Sequence, residues 1–212
     1  RADASSRFAE ANRWGYFPSV SVGWIASEEK FMSNLSLINF LKFRASYGVS
    51  GNNTIPNYGS VGLVGYSYYV IGGSIVSGLV PSSLSNANLG WETSKQFDTG
   101  IESAFWNDRI RFTADLYQTI NDNLLLNVPV PSILGVTMSL QNIGKVRNRG
   151  MELSLVTKNL TGRFEWTTYF NISFNRNRVL ALGPEGDPIK STSNQLSNIT
   201  QVGRSIGDFY GY

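Results

Sequence analysis

Between Glu92 and Leu126 the chain alternates apolar and polar positions with a period of two, interrupted once at Asn107-Asp108. Before the break, Phe97, Thr99, Ile101, Ser103 and Phe105 share one parity, and Gln96, Asp98, Gly100, Glu102 and Ala104 the other. After it, Ile110, Phe112, Ala114 and Leu116 oppose Arg111, Thr113, Asp115 and Tyr117. Strand side chains point alternately to two faces, so the stretch predicts a hairpin with one apolar and one polar face. A two-residue turn at Asn107-Asp108 sets the register. Phe105 then faces Ile110, Ile101 faces Ala114, Thr99 faces Leu116, Glu102 faces Thr113 and Asp98 faces Tyr117. A slip of one residue would mix the faces. In this register Arg111 lies diagonal to Glu102, within reach of an ion pair.

The same pattern recurs. Val20, Val22 and Trp24 share a face in the strand Phe17–Trp24, with Pro18 at its start because it cannot donate to a ladder. Leu41–Val49 alternates next, then Gly150–Val156, then Phe164–Asn175, where the dyad repeat is clearest. Arg1–Phe8 reads as the end of an incoming strand, followed by a loop at Ala9–Arg13. Glu28–Phe40 is a polar-apolar connection with room for one helical turn. Ser50–Gly90, Asn127–Asn148 and Val179–Arg204 read as long loops, the first partly strand-like, and Ile206–Tyr212 as the start of a further strand. The apolar window Leu63–Val80 is not a membrane helix, because Gly and Ser interrupt it and β-branched and aromatic residues fill it.

Strand length and loop rhythm bear on the surrounding solvent. Strands of soluble sheets run roughly 5–6 residues. These run about a dozen, nearer the 9–11 that a tilted strand needs to cross a bilayer. Short connections at Ala26–Phe40, Asn107–Asp108 and Lys158–Arg163 alternate with the long ones, as in outer-membrane barrels. Phe105, Trp106, Phe112, Phe164 and Trp166 flank the short turns as an aromatic girdle would. Tyr16 and Phe17 are expected at the opposite rim. Lys95, on the lipid-side parity, sits near a long loop, where it would snorkel. The expected fold is all-β, a partial transmembrane antiparallel barrel; a soluble β-sandwich adhesin is the rival that alternation alone leaves open.

Composition agrees with a barrel. Charged residues make up 16%, against about 25% in soluble domains. The net charge of +3 is spread along the chain, with no Lys/Arg run, so no nucleic-acid partner is expected. There is no Cys and no His, which excludes disulfides, thiol nucleophiles, the usual zinc sites and a Ser-His-Asp triad. Beginning at Arg1 with no apolar leader, the chain reads as one whose signal segment has been removed or, the preferred reading, as an interior piece of something longer.

Candidate chemistry is sparse. Asp98, Glu102 and Asp115 share the polar face and superficially suggest an acid/base pair. They read instead as part of a water-lined wall, with Arg111 as counter-charge and Tyr117, Glu152 and Tyr169 beside them. Gly59, Gly62 and Gly65 lack the order and the βαβ setting of a nucleotide loop. Asn34, Asn159, Asn171 and Asn198 open N-x-S/T triplets read as coincidence. Asp187 with Glu185 supplies too few ligands for calcium. No catalytic residue, metal or cofactor is expected. Tyr58, Tyr66, Tyr68 and Tyr69, in the long uncharged loop, are the candidates for ligand or partner contact.

Several blocks carry a resemblance. They are Arg13-Trp14-Gly15-Tyr16-Phe17-Pro18-Ser19-Val20-Ser21-Val22-Gly23-Trp24 closing on Glu28-Glu29-Lys30-Phe31, then Leu41-Lys42-Phe43-Arg44-Ala45-Ser46-Tyr47-Gly48 with Ser50-Gly51-Asn52. Leu89-Gly90-Trp91-Glu92-Thr93 follows, running into Phe97-Asp98-Thr99-Gly100-Ile101-Glu102. Asn142-Ile143-Gly144, Asn148-Arg149-Gly150-Met151-Glu152 and Val202 to Tyr212 complete the series. In this order they resemble the SusC/RagA-type TonB-dependent outer-membrane transporters of Bacteroidetes. The resemblance implies that residues 1–212 are part of one β-barrel domain, about six complete up-and-down strands of some 22, with the plug domain and remaining strands absent from this piece. It implies import of oligosaccharides or peptides across the bacterial outer membrane, with lipid around the barrel. The implied partners are a SusD-like surface lipoprotein and the TonB complex, the latter acting through parts of the chain outside this stretch. A surface-anchoring or secretion-associated barrel is the alternative use of such a wall.

Overall fold

The computed structural model describes residues 1–33, 35, 37–183, 186–193 and 196–211. Its main feature is one antiparallel sheet of six strands, in chain order β3 (Ser19–Ile25), β4 (Ile38–Asn52), β7 (Glu92–Phe105), β8 (Ile110–Pro129), β9 (Met138–Thr161) and β10 (Glu165–Leu182). Two short strands precede it, β1 (Ala2–Ala4) and β2 (Trp14–Tyr16). The hairpin β5 (Val64–Ile71) and β6 (Ser74–Pro81) lies between β4 and β7 in the chain. After β10 come β11 (Ile189–Ser193), β12 (Leu196–Thr200) and β13 (Asp208–Phe209). Each strand of the six pairs with the next in this order, up and down.

The expected hairpin register is the observed one. Phe105 pairs with Ile110, Ile101 with Ala114, Thr99 with Leu116, Glu102 with Thr113 and Asp98 with Tyr117. Asn107 and Asp108 take φ of 56° and 61°, the left-handed region that Asn and Asp tolerate best after Gly. The Arg109 N–H closes the turn on Trp106 O at 3.2 Å. Asn39 Oδ1 accepts the Asn107 N–H at 2.7 Å, tying the turn to the start of β4.

The registers line up residues across the whole sheet. One row reads Trp24, Phe43, Ile101, Ala114, Leu153 and Ile172; the next reads Val22, Ala45, Thr99, Leu116, Met151 and Phe174. These side chains share a face, and much of it is uncovered: Val22 is 66% exposed, Leu116 53% and Phe174 53%. A sandwich would bury them against a second sheet. The apolar band spans about nine residues of β7 and β8, the length of a tilted bilayer crossing. At its short-turn end Trp24 stacks on Phe43 with centroids 5.8 Å apart and meets Phe31 at 6.3 Å. That extends the girdle of Phe105, Trp106, Phe164 and Trp166.

The structure departs from expectation mainly at the long-loop end. β8 and β9 continue past the apolar band as a paired ribbon, so the Asn127–Asn148 loop contracts to residues 130–137. The register shifts between Asn121 and Leu125 mark where the ribbon leaves the wall. Ala2–Ala4 pairs with Trp14–Tyr16 instead of entering the main sheet. Asp208–Phe209 adds to β12, not to a new wall strand. Glu28–Phe40 holds its short helical turn at Lys30–Met32, with a second just before it at Ala26–Glu28. Phe17 is not a rim aromatic: it is buried at 9% exposure, edge-on to Trp91 with centroids 5.3 Å apart. Gly15 and Gly51 make room for it, since a Cβ on either would enter the Phe17 ring.

Candidate functional site: the polar wall and the loop-end collar

The face opposite the apolar band carries the polar set. Arg44, Gly100, Asp115, Glu152 and Ser173 form one row across it, and Lys42, Glu102, Thr113, Ser154 and Asn171 the next. Arg44 is the centre. Its Nε lies 3.1 Å from Glu102 Oε1, and its Nη2 pairs with Asp115 Oδ1. Lys42 Nζ is 3.9 Å from Glu102. Arg44 and Asp115 stand on strands that are not neighbours, with β7 between them. They meet because the intervening residue is Gly100, where a Cβ would collide with Asp115 Oδ1. A second notch follows the same rule: the Tyr117 ring lies over Gly150 on the adjacent strand, in the space a Cβ would fill.

These contacts correct one expectation. The counter-charge to Glu102 and Asp115 is Arg44, not Arg111. Arg111 turns back toward the hairpin end, with Nη2 3.5 Å from Asp108. Asp98 accepts a hydrogen bond from Gln96 Nε2 at 2.9 Å. Glu152 faces Asp115 across the β8–β9 pair, and Tyr169 on β10 is 74% exposed. An open recess on this face is lined by Arg44, Gln96, Asp98, Asp115, Tyr117 and Glu152, so the structure joins Asp98, Asp115, Tyr117 and Glu152 and leaves Arg111 and Tyr169 apart. The carboxylates of Glu102 and Asp115 are held by cations and suit a hydrated wall better than proton transfer. Among the described residues no group of three or more His, Cys, Asp or Glu is placed to hold a metal. Glu185, half of the calcium pair, lies outside the described residues, as do Asn34 and Ser36 of the first triplet.

Above the wall, blocks far apart in sequence meet. The Asn142 amide donates to Gly90 O at 3.0 Å and Asn123 O at 2.8 Å, and its Oδ1 accepts the Gly90 N–H at 2.9 Å. Glu92 accepts from Asn52 Nδ2 at 2.6 Å and from the Leu125 N–H at 2.7 Å. Trp91 Nε1 donates to Arg13 O at 3.1 Å. Beneath these bonds Phe8, Ile55 and Leu89 form a small buried cluster, with Trp91, Leu125 and Leu140 packed on it. Motifs that read as separate strand signals thus assemble one collar that fixes the bases of three loops. The signal available in the sequence was their company of Asn, Gly and Trp, which suits side chain–backbone bonding and close approach.

At the same end Asp122 takes Lys145 Nζ at 3.0 Å and Lys95 Nζ at 3.6 Å. Lys95 is therefore paired instead of simply snorkelling. Burial pushes the Asp122 carboxyl up, but the hydrogen bond and charge of Lys145, the Asn123 N–H and the charge of Lys95 bring it below the ordinary carboxylate value. This residue lies beyond the membrane-spanning part of β8.

The loop tyrosines are placed by the β5–β6 hairpin, which turns at Gly72 and Gly73 with φ of 61° and 82°, the mirror-type turn of two-residue hairpins. Tyr66 and Tyr68 lie on one face and Tyr69 on the other; all three, and Tyr58 in the preceding turn, are exposed. Ile71, Ile75, Leu79 and Val64 are exposed beside them, so both faces of this uncharged ribbon present apolar surface.

Comparison with known proteins agrees with this architecture. A family model described as TonB dependent receptor-like, beta-barrel, matches residues 1–211. TonB-dependent receptor P39 of Formosa agariphila is 40% identical over 213 residues, 100% of this chain and 20% of that protein. TonB-dependent receptor SusC of Bacteroides thetaiotaomicron is 34% identical over 229 residues, 100% of this chain and 23% of that protein. A chain in the structure of the RagAB peptide importer in its closed-closed state superposes with a TM-score of 0.83 at 27% identity, over 96% of this chain and 22% of its own. The chain spans about a fifth of the length of these relatives.

Proposed function

Since the chain belongs to the TonB-dependent receptor-like β-barrel family, we propose that residues 1–212 form part of one barrel domain in the wall of an outer-membrane importer of oligosaccharides or peptides. The observation that carries this reading is the division of the six-stranded sheet. One face is an uncovered apolar band and the other a polar wall whose cations and carboxylates neutralise one another around Arg44. Such a wall, with Asp98, Tyr117 and Glu152 lining an open recess beside Arg44, offers polar and charged groups to a hydrated solute. Transport, not covalent chemistry, is its work, with the ligand moving past a displaced plug supplied elsewhere in the whole protein and the TonB complex providing the force. A SusD-like lipoprotein caps the outer side. The exposed apolar β5–β6 hairpin, with Tyr66, Tyr68 and Tyr69, supports a role in partner or ligand contact.

The test is uptake by the full-length protein. In cells deleted for the native copy, complementation is expected to restore uptake of a labelled oligosaccharide or oligopeptide and to co-purify the lipoprotein. Replacing Tyr58, Tyr66, Tyr68 and Tyr69 together with Ser is expected to weaken one or both. Unchanged uptake and unchanged lipoprotein capture would remove the tyrosines from the proposal. Lipoprotein capture without uptake of any solute would replace the importer by a surface-anchoring barrel.

A further inference from the structure

The apolar face ends abruptly at its long-loop edge. Two residues beyond the row of Leu116, Met151 and Phe174 stand Gln118, Arg149 and Arg176, and two further on stand Ile120, Arg147 and Arg178. The parity is unbroken through these rows, so all four arginines belong to the outward face. Arg149 faces Arg176 directly and Arg147 faces Arg178. Facing pairs in a sheet lie about 5 Å apart at Cβ, and rows two residues apart are separated by roughly 7 Å. Four guanidinium groups thus spring from a small rectangle.

Like charges placed directly opposite destabilise a sheet, and no ion pair among the described residues relieves these. Among the described residues no carboxylate lies within ion-pair distance of any of the four. Asp122, the acid at this end of the face, is taken by Lys145 and Lys95. Arg149 Nε donates to the neutral Gln118 Oε1. Arg149, Arg176 and Arg178 are exposed, and Arg147 is partly so. The opposite edge of the same face is uncharged: Phe105, Ile110, Thr157 and Thr168 occupy its last row. The charge therefore sits at one boundary of the apolar band, on the side of the long loops, which in outer-membrane barrels is the outer leaflet. That is the depth at which hydrocarbon gives way to headgroups.

We propose that Arg147, Arg149, Arg176 and Arg178 form a docking surface for the phosphate-bearing headgroup of an outer-leaflet lipid. Charge complementarity selects the ligand, because guanidinium groups bind phosphate oxygens bidentately. Position selects its source: a phosphate carried on acyl chains reaches this rim with its chains along Leu116, Met151 and Phe174.

The experiment uses the full-length transporter, delipidated in detergent and offered monophosphoryl lipid A. Bound copies are counted by native mass spectrometry. Wild type is expected to retain the lipid, and R147Q/R149Q/R176Q/R178Q to retain it about ten-fold less. The dephosphorylated lipid is expected to bind wild type as weakly as the variant binds the intact one, and excess inorganic phosphate to leave the complex in place. Heat-modifiable migration on gels reports assembly. If the four-fold variant does not assemble, R149Q/R176Q is used in its place. A second readout separates docking from a merely solvated charge cluster. In lipid-free micelles the Gln variant is expected to melt higher than wild type, because facing charges are gone, whereas adding the lipid raises Tm for wild type alone. Equal retention by variant and wild type, equal binding of the dephosphorylated lipid, displacement by inorganic phosphate, no lipid-dependent shift in Tm, or a protein that occupies this face and displaces the lipid would each overturn the proposal.

Discussion

The two faces of the six-stranded sheet are held by different physics. On the outward face Leu153 packs between Ala114 and Ile172, and nothing more specific than apolar contact is needed, because the surroundings are hydrocarbon. On the inward face position is specified group by group: Arg44 reaches Asp115 only through the notch at Gly100, and Tyr117 lies flat only over Gly150. A face turned to lipid tolerates exchange among apolar residues and rejects charge. A face turned to water tolerates charge and rejects a misplaced methyl group.

The comparison is broken most severely by placing a charge on the outward face. In the full-length protein Leu153→Arg, near the middle of the apolar band, is expected to cost about 2–4 kcal/mol, measured by denaturant unfolding in lipid. Leu153→Ile at the same site should cost under roughly 1.5 kcal/mol. Next comes overpacking of the inward face. Gly100→Val is expected to cost about 1–3 kcal/mol by the same assay. Much of that loss should disappear in the Arg44→Gln background, where the ion pair it disrupts is already absent; an undiminished cost there would deny the notch its role. Smaller still is Arg44→Gln itself, at up to roughly 1 kcal/mol for a partly exposed pair, with Arg111→Gln below detection because its partner Asp108 sits in an exposed turn. A larger loss for Arg111 than for Arg44 would reverse the assignment of the counter-charge.

The smallest effect is a matter of pH. The Asp122 carboxyl is lowered from 3.8 in the folded protein, so its contribution is present above that value and is lost as pH falls through the lower folded one. Asp122→Asn is expected to flatten the decline of stability with pH in the acid range below about 4. Parallel curves for the two proteins would mean that Lys145 and Lys95 do not stabilise it.

What could be read in the chain follows the same division. The wall was legible because period-two alternation and a short turn jointly determine register, and both are local. The pairing of Phe105 with Ile110 through to Asp98 with Tyr117 needed nothing beyond residues 92–126. The partner of Glu102 was not legible from that window, because Arg44 arrives from β4 across the long connection that contains β5 and β6. Arg111 was the cation in view and the wrong one. The collar was harder still, since Asn142 binding Gly90 and Trp91 binding Arg13 join positions with no shared periodicity. The end of β8 beyond Leu126 and the part of β9 before Asn148 were not legible because, past the apolar band, water bathes both sides and alternation loses its cause. The turn at Gly72-Gly73, between runs of Tyr, Val and Ile, was a readable hairpin signal that the Gly- and Ser-rich surroundings obscured.

That hairpin has a further consequence in the way it is rooted. The Ser82 N–H donates to Leu63 O at 2.8 Å, and Ser83 Oγ receives the Leu63 N–H at 3.0 Å while donating to Val61 O at 3.3 Å. The stem is stitched to itself before the first tyrosine of the ribbon is reached, whereas the Asn and Trp bonds of the collar lie wholly outside it. Residues 64–81 therefore form a unit closed at its own base, separate from the bonds that align the β-strands below. Change in its exposed side chains is thus uncoupled from the register of the wall.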